Sequence, residues 1–245
     1  MIDKIKIHEI GKQIGVTSWQ AEKDYLQHLF LRDLYSHINQ ELVFKGGTCL
    51  QKAYGLHRFS RDLDFNINGE INLKTMLEKI SKELATIGLL NNISKTEENK
   101  YAANFLMKFD STEMKNSLTI QMSKREICEL QPRQIAITPL YSDISPYFVF
   151  CMDEQEIAAE KIRAIYQRAF PRDVYDLWFL IKRGTKLDML LIQKKLATIK
   201  QTYDKTKCIG HIRAISKNWD ELKDLLFAYP KFEEVIQEIQ EKLST

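Results

Sequence analysis

The chain predicts an α+β fold: a mixed β-sheet flanked by helices over residues 1–150, then an all-α helical bundle over 151–245. Three observations carry this. A short apolar run, Leu42 to Phe44, leads into Gly46-Gly47 and a short helical stretch, and a second strand follows at Asp62 to Asn66. Ser117 to Met122 alternates polar and apolar residues with the period of a half-buried strand. From Glu154 onward glycine and proline are scarce and apolar residues recur at helical spacing, which places the domain boundary near Pro146 to Asp153.

The totals agree with this class. A chain of 245 residues can bury a sizeable core in one large domain or two small ones. A hydrophobic fraction of 44% and a charged fraction of 28% are ordinary for a soluble globular protein. The 36 basic and 33 acidic residues leave a formal charge of +3, too small to declare nucleic-acid binding, although a basic patch can still surround an acidic site. Cys49, Cys128, Cys151 and Cys208 form no C-x-x-C and read as reduced thiols, not as a zinc site or disulfide frame. Lys4, Lys6 and Glu9 deny the N-terminus the apolar centre of a signal peptide. No apolar run approaches a membrane span, so a cytoplasmic protein without membrane contact is expected.

The elements follow in order. Residues Met1 to Val16 read as a short, weakly apolar helix ending near Gly15. Thr17 or Ser18 caps the next helix, about Trp19 to His37, whose core stripe is Tyr25, Leu26, Leu29, Phe30 and Leu34. The charges Glu22, Lys23 and Asp24 read as its solvated face. Thr48 to Tyr54 is a short helix ended by Gly55, and Leu73 to Ile87 is an amphipathic helix stopped by Gly88. The polar stretch Asn91 to Lys100 reads as a loop. Strands follow at Tyr101 to Phe109 and Ser117 to Met122, joined by a hairpin at Asp110 to Lys115. Lys124, Arg125 and Arg133 read as a solvated loop that forms a basic rim if it borders the site. Ile135 to Ile137 and Phe148 to Met152 complete the sheet between prolines 132, 139 and 146. The expected late helices are about 153–168, 172–183, 187–200, 205–217, 219–228 and 231–243.

Two clusters carry chemistry. In the first, residues two apart on a strand share a side, so Asp62 and Asp64 face one way while Leu63 and Phe65 enter a core. Paired carboxylates repel one another and lose hydration, a cost that a divalent cation removes; Mg²⁺ is commonly held by one or two carboxylates plus nucleotide phosphates. Gly46 and Gly47 let backbone approach a phosphate, and the helix from Thr48 favours an anion at its N-terminus. Each half has a plain structural reading as well, a tight turn and an exposed strand. The P-loop and dinucleotide fingerprints are both missing. In the second cluster, Lys161 and Arg168 lie seven apart on one side of a helix, with the small Ala164 between them. Asp173 and Asp176 share a face of the helix that Pro171 starts. Read locally, Asp173 is a helix cap and Lys161 an intrahelical ion pair.

Phe44-Lys45-Gly46-Gly47-Thr48-Cys49-Leu50 followed by Arg58-Phe59-Ser60-Arg61-Asp62-Leu63-Asp64-Phe65 resembles motif one of the polymerase-β-like nucleotidyltransferases. In detail it is similar to the AbiEii/AbiGii-type toxins, whose form is close to F-K-G-G-T-x-L, then R-x-S-x-D-L-D-F. Glu22-Lys23-Asp24-Tyr25 matches that family's early helix. Its later K-x-x-A-x-x-x-R and R-D-x-x-D-L motifs are matched by Lys161, Ala164, Arg168, Arg172, Asp173, Asp176 and Leu177. The resemblance covers about Glu22 to Leu177 and implies a nucleotidyltransferase-like first domain, with the helical domain completing the active site. It implies Asp62 and Asp64 on Mg²⁺ (or Mn²⁺), and Lys45, Gly46, Gly47 and Thr48 on phosphate. Ser60 has the parity of Asp62, and Lys161 would lie on the triphosphate. Asp176 would be a second metal neighbour, a base or the partner of Lys161, and Arg58, Arg168 and Arg172 would bind phosphate or acceptor. The implied substrate is an NTP, the acceptor an RNA such as the acceptor end of tRNA, and the protein partner a cognate antitoxin. Thr119 stands where many such enzymes place a third acid, which puts a three-carboxylate, two-metal site in doubt. A kinase-like phosphotransferase toxin and a non-catalytic nucleotide-binding module stay open as alternatives. Tyr101, Tyr166 and Tyr175 read as core packing rather than base stacking.

Overall fold

Asp3 caps the first helix, α1 (Lys4–Gln13), by accepting from the Lys6 N–H. Thr17 and Gln20 form a reciprocal capping box that starts α2 (Ser18–Tyr35). The computed structural model describes residues 2–110, 115–168, 170–226 and 229–243. The chain divides into two units: Met1–Gly55, Phe59–Cys128 and Pro132–Met152 form the first, and Leu56–Arg58, Glu129–Gln131 and Asp153–Thr245 the second.

The first unit is built on a mixed sheet of seven strands among the described residues: β1 (Leu42–Lys45), β2 (Leu63–Ile67), β3 (Asn91–Glu98), β4 (Ala102–Asp110), β5 (Lys115–Ser123), β6 (Arg133–Ile137) and β7 (Tyr147–Cys151). Their order is β3-β4-β5-β2-β1-β7-β6. β1 pairs antiparallel with β2 and parallel with β7, and β2 pairs parallel with β5. Register sorts the two faces, because in-register neighbours point the same way. Phe44, Phe65, Met122 and Ala103 form one apolar row, and Leu63, Ile120 and Phe105 the next. Phe44 and Phe65 are fully buried with ring centroids 5.4 Å apart; burying each is worth about 1.5–3 kcal/mol. The opposite face carries the row Lys45, Asp64, Gln121, Asn104 and Glu97 across five strands. Helix α2 packs against β5, β7 and α4 (Leu73–Thr86), and the glycine-led helix α3 (Gly46–Tyr54) packs on β1 and β2.

Several expectations are corrected. Asn91–Glu98 is the edge strand β3, not a loop. Its side chains are mostly exposed and a bulge interrupts it between Lys95 and Glu97, so no apolar alternation marked it. Arg133 starts β6 instead of lying in a loop. The glycine pair forms the first turn of α3 rather than a separate turn before Thr48. The hairpin tip 111–114 lies outside the described residues. Residues 20–31 of α2 are all buried, so Glu22, Lys23 and Asp24 are not a solvated face. Each has a partner instead: Glu22 with His8 and Lys4, Lys23 with the Ser117 carbonyl, and Asp24 with Lys52.

The second unit contains α5 (Glu154–Gln167), α6 (Pro171–Lys182), α7 (Met189–Ala197), α8 (Lys205–Ala214), a 3-10 segment Ile215–Leu222 and α9 (Phe232–Lys242). The 3-10 segment replaces the helix expected at 219–228, whose last two residues lie outside the description. Asp153, Asp188 and Asp204 cap α5, α7 and α8. Pro171 occupies the first turn of α6. Buried Glu156 accepts from the Glu129 and Leu130 N–H groups at 3.0 Å and pairs with buried Lys195 at 2.7 Å.

Candidate active site

In the first unit, β1 delivers Lys45 opposite Asp64 in register, and Gln121 flanks Asp64 on the other side. The next residue, Gly46, has φ +75°, a left-handed conformation that favours glycine. A Cβ there would lie 3.1 Å from Asp64 Cβ and Cγ, and closer still to Oδ2. The start of α3 therefore abuts the Asp64 carboxylate because residue 46 has no side chain. No side chain caps α3, so its first N–H groups depend on other partners. Asp62 immediately precedes β2, and both Asp62 and Asp64 are half-buried while Leu63 and Phe65 are in the core.

The loop before Asp62 is held from three sides. Thr48 Oγ1 donates to the Asp62 carbonyl at 2.5 Å. Gln27 Nε2 donates to the Ser60 and Arg61 carbonyls at 3.1 Å each, and Ser60 N–H donates to Gln51 Oε1 at 2.9 Å. Thr48 is fully buried, so its hydroxyl is a structural tie. Ser60 and Asp62 both precede β2, so strand parity alone aims neither; Asp62 directly adjoins the strand, whereas Ser60 lies two residues further back. Lys23, 4% exposed, sits within electrostatic range of Asp62 and Arg61. Burial pulls its pKa down, and Asp62 opposes that pull.

This pair fits one hard cation with ligand or water oxygens completing its shell. It does not fit a three-carboxylate site. The β5 neighbour of Asp64 is Gln121, and no cluster of three metal-binding side chains exists among the described residues. By continuation of the same register, Thr119 falls level with Asp62.

The second unit contains a buried ionic network. Arg58 grips Asp176 bidentately, Nε to Oδ1 at 2.6 Å and Nη2 to Oδ2 at 2.7 Å. Lys161 Nζ lies 2.7 Å from Asp176 Oδ2 and 3.1 Å from Asp173 Oδ1. Arg168 holds Asp173 bidentately at 3.0 and 3.2 Å. Both carboxylates are fully buried. Burial pushes the Asp176 carboxyl up, but the Arg58 and Lys161 charges outweigh it and bring it down to about 2. Burial pulls Lys161 down, and Asp176 and Asp173 more than restore it, so the ammonium stays charged. Lys161 is thus paired between helices, and Asp173 is a network member and not only a cap. Arg172 stands apart: it is exposed, with its guanidinium 5.4 Å from the Phe170 ring centre. Tyr166 and Tyr175 are buried as expected, whereas Tyr101 is 52% exposed.

Sequence reasoning passed over Trp19, Lys23, Gln27 and Gln51. For Lys23 no local signal existed: its helix mixes polar and apolar residues, and only the fold buries Glu22, Lys23 and Asp24.

The strand–helix–strand unit sets two acids one residue apart, with a left-handed glycine against one of them, and it coincides with the stretch whose sequence resembles the nucleotidyltransferases. The profile of the AbiEii family, described as a nucleotidyl transferase toxin of a type IV toxin–antitoxin system, matches residues 29–241. The chain belongs to this family and is a nucleotidyltransferase. Solved structures share the fold. MenT4, a nucleotidyltransferase toxin from Mycobacterium tuberculosis H37Rv, gives a TM-score of 0.73 at 18% identity, covering 100% of this chain and 89% of that one. JHP933 from Helicobacter pylori gives 0.65 at 21% identity, covering 94% and 92%. Comparison with curated protein sequences gave no significant match. No helix among the described residues is long and apolar enough to cross a membrane.

Gly46→Ala tests the contact with Asp64. The left-handed backbone alone costs about 1–2 kcal/mol for a residue with a Cβ, and the new methyl also displaces the carboxylate. Gly55→Ala is the control: φ is +79° there, but the added Cβ meets open space. Both variants are expected to melt lower, and only Gly46→Ala to lose transfer. Equal activity of the two would show that the close approach is irrelevant.

Proposed function

We propose that the chain transfers an NMP unit from an NTP to a hydroxyl of an RNA acceptor, the acceptor end of tRNA in particular, with Mg²⁺ or Mn²⁺. It acts as a toxin of the abortive-infection kind in the cytoplasm, opposed by a cognate antitoxin. The observation that carries this is the approach of Gly46 to the Asp64 carboxylate, which makes an anion-accepting helix start and a cation-binding acid neighbours. The proposal keeps two domains: 1–150 holds the diacid, and the helical 151–245 completes the site.

In the reaction an acceptor oxygen bonds to the α-phosphorus. The bond from that phosphorus to its bridging oxygen breaks, and pyrophosphate leaves with the electron pair. The acceptor proton passes to solvent. Asp62 and Asp64 would hold the cation, which when bound would supply charge neutralisation for the triphosphate. Lys45 and the N–H groups of Gly46, Gly47 and Thr48 take phosphate oxygens, while the Thr48 hydroxyl holds Asp62 in place. Lys161 supplies a permanent positive charge toward the triphosphate. Asp176 positions it; a carboxyl brought down to about 2 is a poor base near neutral pH. Arg58 and Arg168 position the two acids, and exposed Arg172 is left for acceptor phosphate.

The test is incubation of the protein with Mg²⁺, total RNA and each α-labelled NTP in turn. Label is expected on an RNA band. Product labelled only from γ-labelled NTP would mean phosphoryl transfer instead, and magnesium-dependent NTP binding without product would mean a binding module.

A further inference from the structure

We propose that Trp19 is a stacking platform for a base of the acceptor strand, with Arg61 as the contact to that strand's phosphate. The identity of the strand rests on the transfer reading above; the platform rests on its own geometry. Trp19 is the second residue of α2 and is 43% exposed. Its indole is nevertheless fixed. Phe59 meets it edge-on with centroids 6.3 Å apart, and Lys23 Nζ lies 5.1 Å from the ring centre. Lys23 is itself anchored, buried and donating to the Ser117 carbonyl. Asn116 Nδ2 donates to the Trp19 carbonyl at 3.3 Å, which ties the start of α2 to the start of β5. Arg61 Cζ lies 5.6 Å from the same ring centre, yet Arg61 is exposed. It is therefore the neighbour that a base can displace, and it adjoins Asp62 in the chain.

A rigid indole beside a cation is the pairing that holds single-stranded nucleic acid without reading its sequence. The polar side of β5 favours the same ligand. Ser117, Thr119 and Gln121 are neutral, so no carboxylate there repels a phosphate chain. The third acid of the diacid pattern would have stood on this strand. A strand fits better than the base of the incoming NTP. On the transfer reading the NTP's phosphates go to Lys45, the Gly46–Thr48 turn and Lys161, whereas a strand carries a further phosphate beside each base for Arg61.

The test uses the full chain and a short single-stranded oligoribonucleotide. Titration is expected to quench wild-type tryptophan fluorescence, and Mg²⁺-NTP alone is not. In Trp19→Ala the quench disappears and oligoribonucleotide affinity falls about tenfold, while Trp19→Phe keeps most of it. Arg61→Gln weakens binding and lowers its salt dependence. In the transfer assay, KM for the acceptor rises about tenfold in Trp19→Ala, and KM for the NTP stays within twofold. Unchanged affinity in a folded Trp19→Ala would overturn the inference, as would absence of any quench in the wild type. So would a Trp19-dependent quench by Mg²⁺-NTP alone, which would give the ring to the nucleotide. If no label is ever transferred but Trp19→Ala still loses binding, the platform stands and the transfer reading falls.

Discussion

Asp62→Asn and Asp64→Asn are each expected to lower nucleotide transfer by about a thousandfold or more and to leave the fold in place. The size follows from the position of the charge. A cation held by both acids would offset the negative charge that moves onto the leaving pyrophosphate, so a lost carboxylate charge would weaken the transition state more than the ground state. The fold survives because asparagine has the same shape and neither side chain is in the core. The main chain at Asp62 is held by the Thr48 hydroxyl, and the loop before it by Gln27 and Gln51. Asp64 stays in register between Lys45 and Gln121 whether or not it is charged. Initial rates with Mg²⁺ and thermal melts decide it: a melting point within about 4 °C of wild type, with transfer gone, is the expected pair. Wild-type transfer by either variant would remove the metal assignment.

The strand that carries the diacid was legible because its period is plain: Asp62 and Asp64 alternate with Leu63 and Phe65, and both apolar residues are fully buried. The ligand role of the two acids belongs to the proposal. Gly46 was legible as a glycine, but its reason was not. Only the register that sets Lys45 opposite Asp64 reveals that a Cβ would strike a carboxylate. Asn91–Glu98 was missed because an exposed edge strand needs no apolar alternation to pair along its one bonded side. Lys23 and Asp24 were read as wet because charge normally means solvent. Their partners, the Ser117 carbonyl and Lys52, lie 94 and 28 residues away. Local reasoning gave Lys161 a partner on its own helix for the same cause. Arg58 meets Asp176 across 118 residues of chain, and no spacing rule reaches that far.

Asp176→Asn is expected to cost about 3–5 kcal/mol of stability, the price of breaking a buried ionic group from one side. Among Arg58, Lys161, Arg168, Asp173 and Asp176, three cations face two carboxylates. Asparagine at 176 leaves three cations around one carboxylate, and two of them, Arg58 and Lys161, are buried with little solvent to screen them. Lys161→Met leaves two cations and two carboxylates, with Arg58 and Arg168 each still bidentate on its acid. That variant should fold with a far smaller loss and, under the role proposed for Lys161, still lose about a hundredfold or more in kcat/KM for the NTP. Urea midpoints of the two variants, set beside their NTP kinetics, separate the roles. Equal destabilisation would make Lys161 structural. The pH dependence has a fixed sign. Asp176 titrates near 2 in the folded chain against an ordinary 3.8, so its contribution, about 2 kcal/mol, is complete above pH 4. It is lost as the pH falls through 2. Asp176→Asn should remove that acid-side slope, and a variant that keeps it would place the titration on another carboxylate.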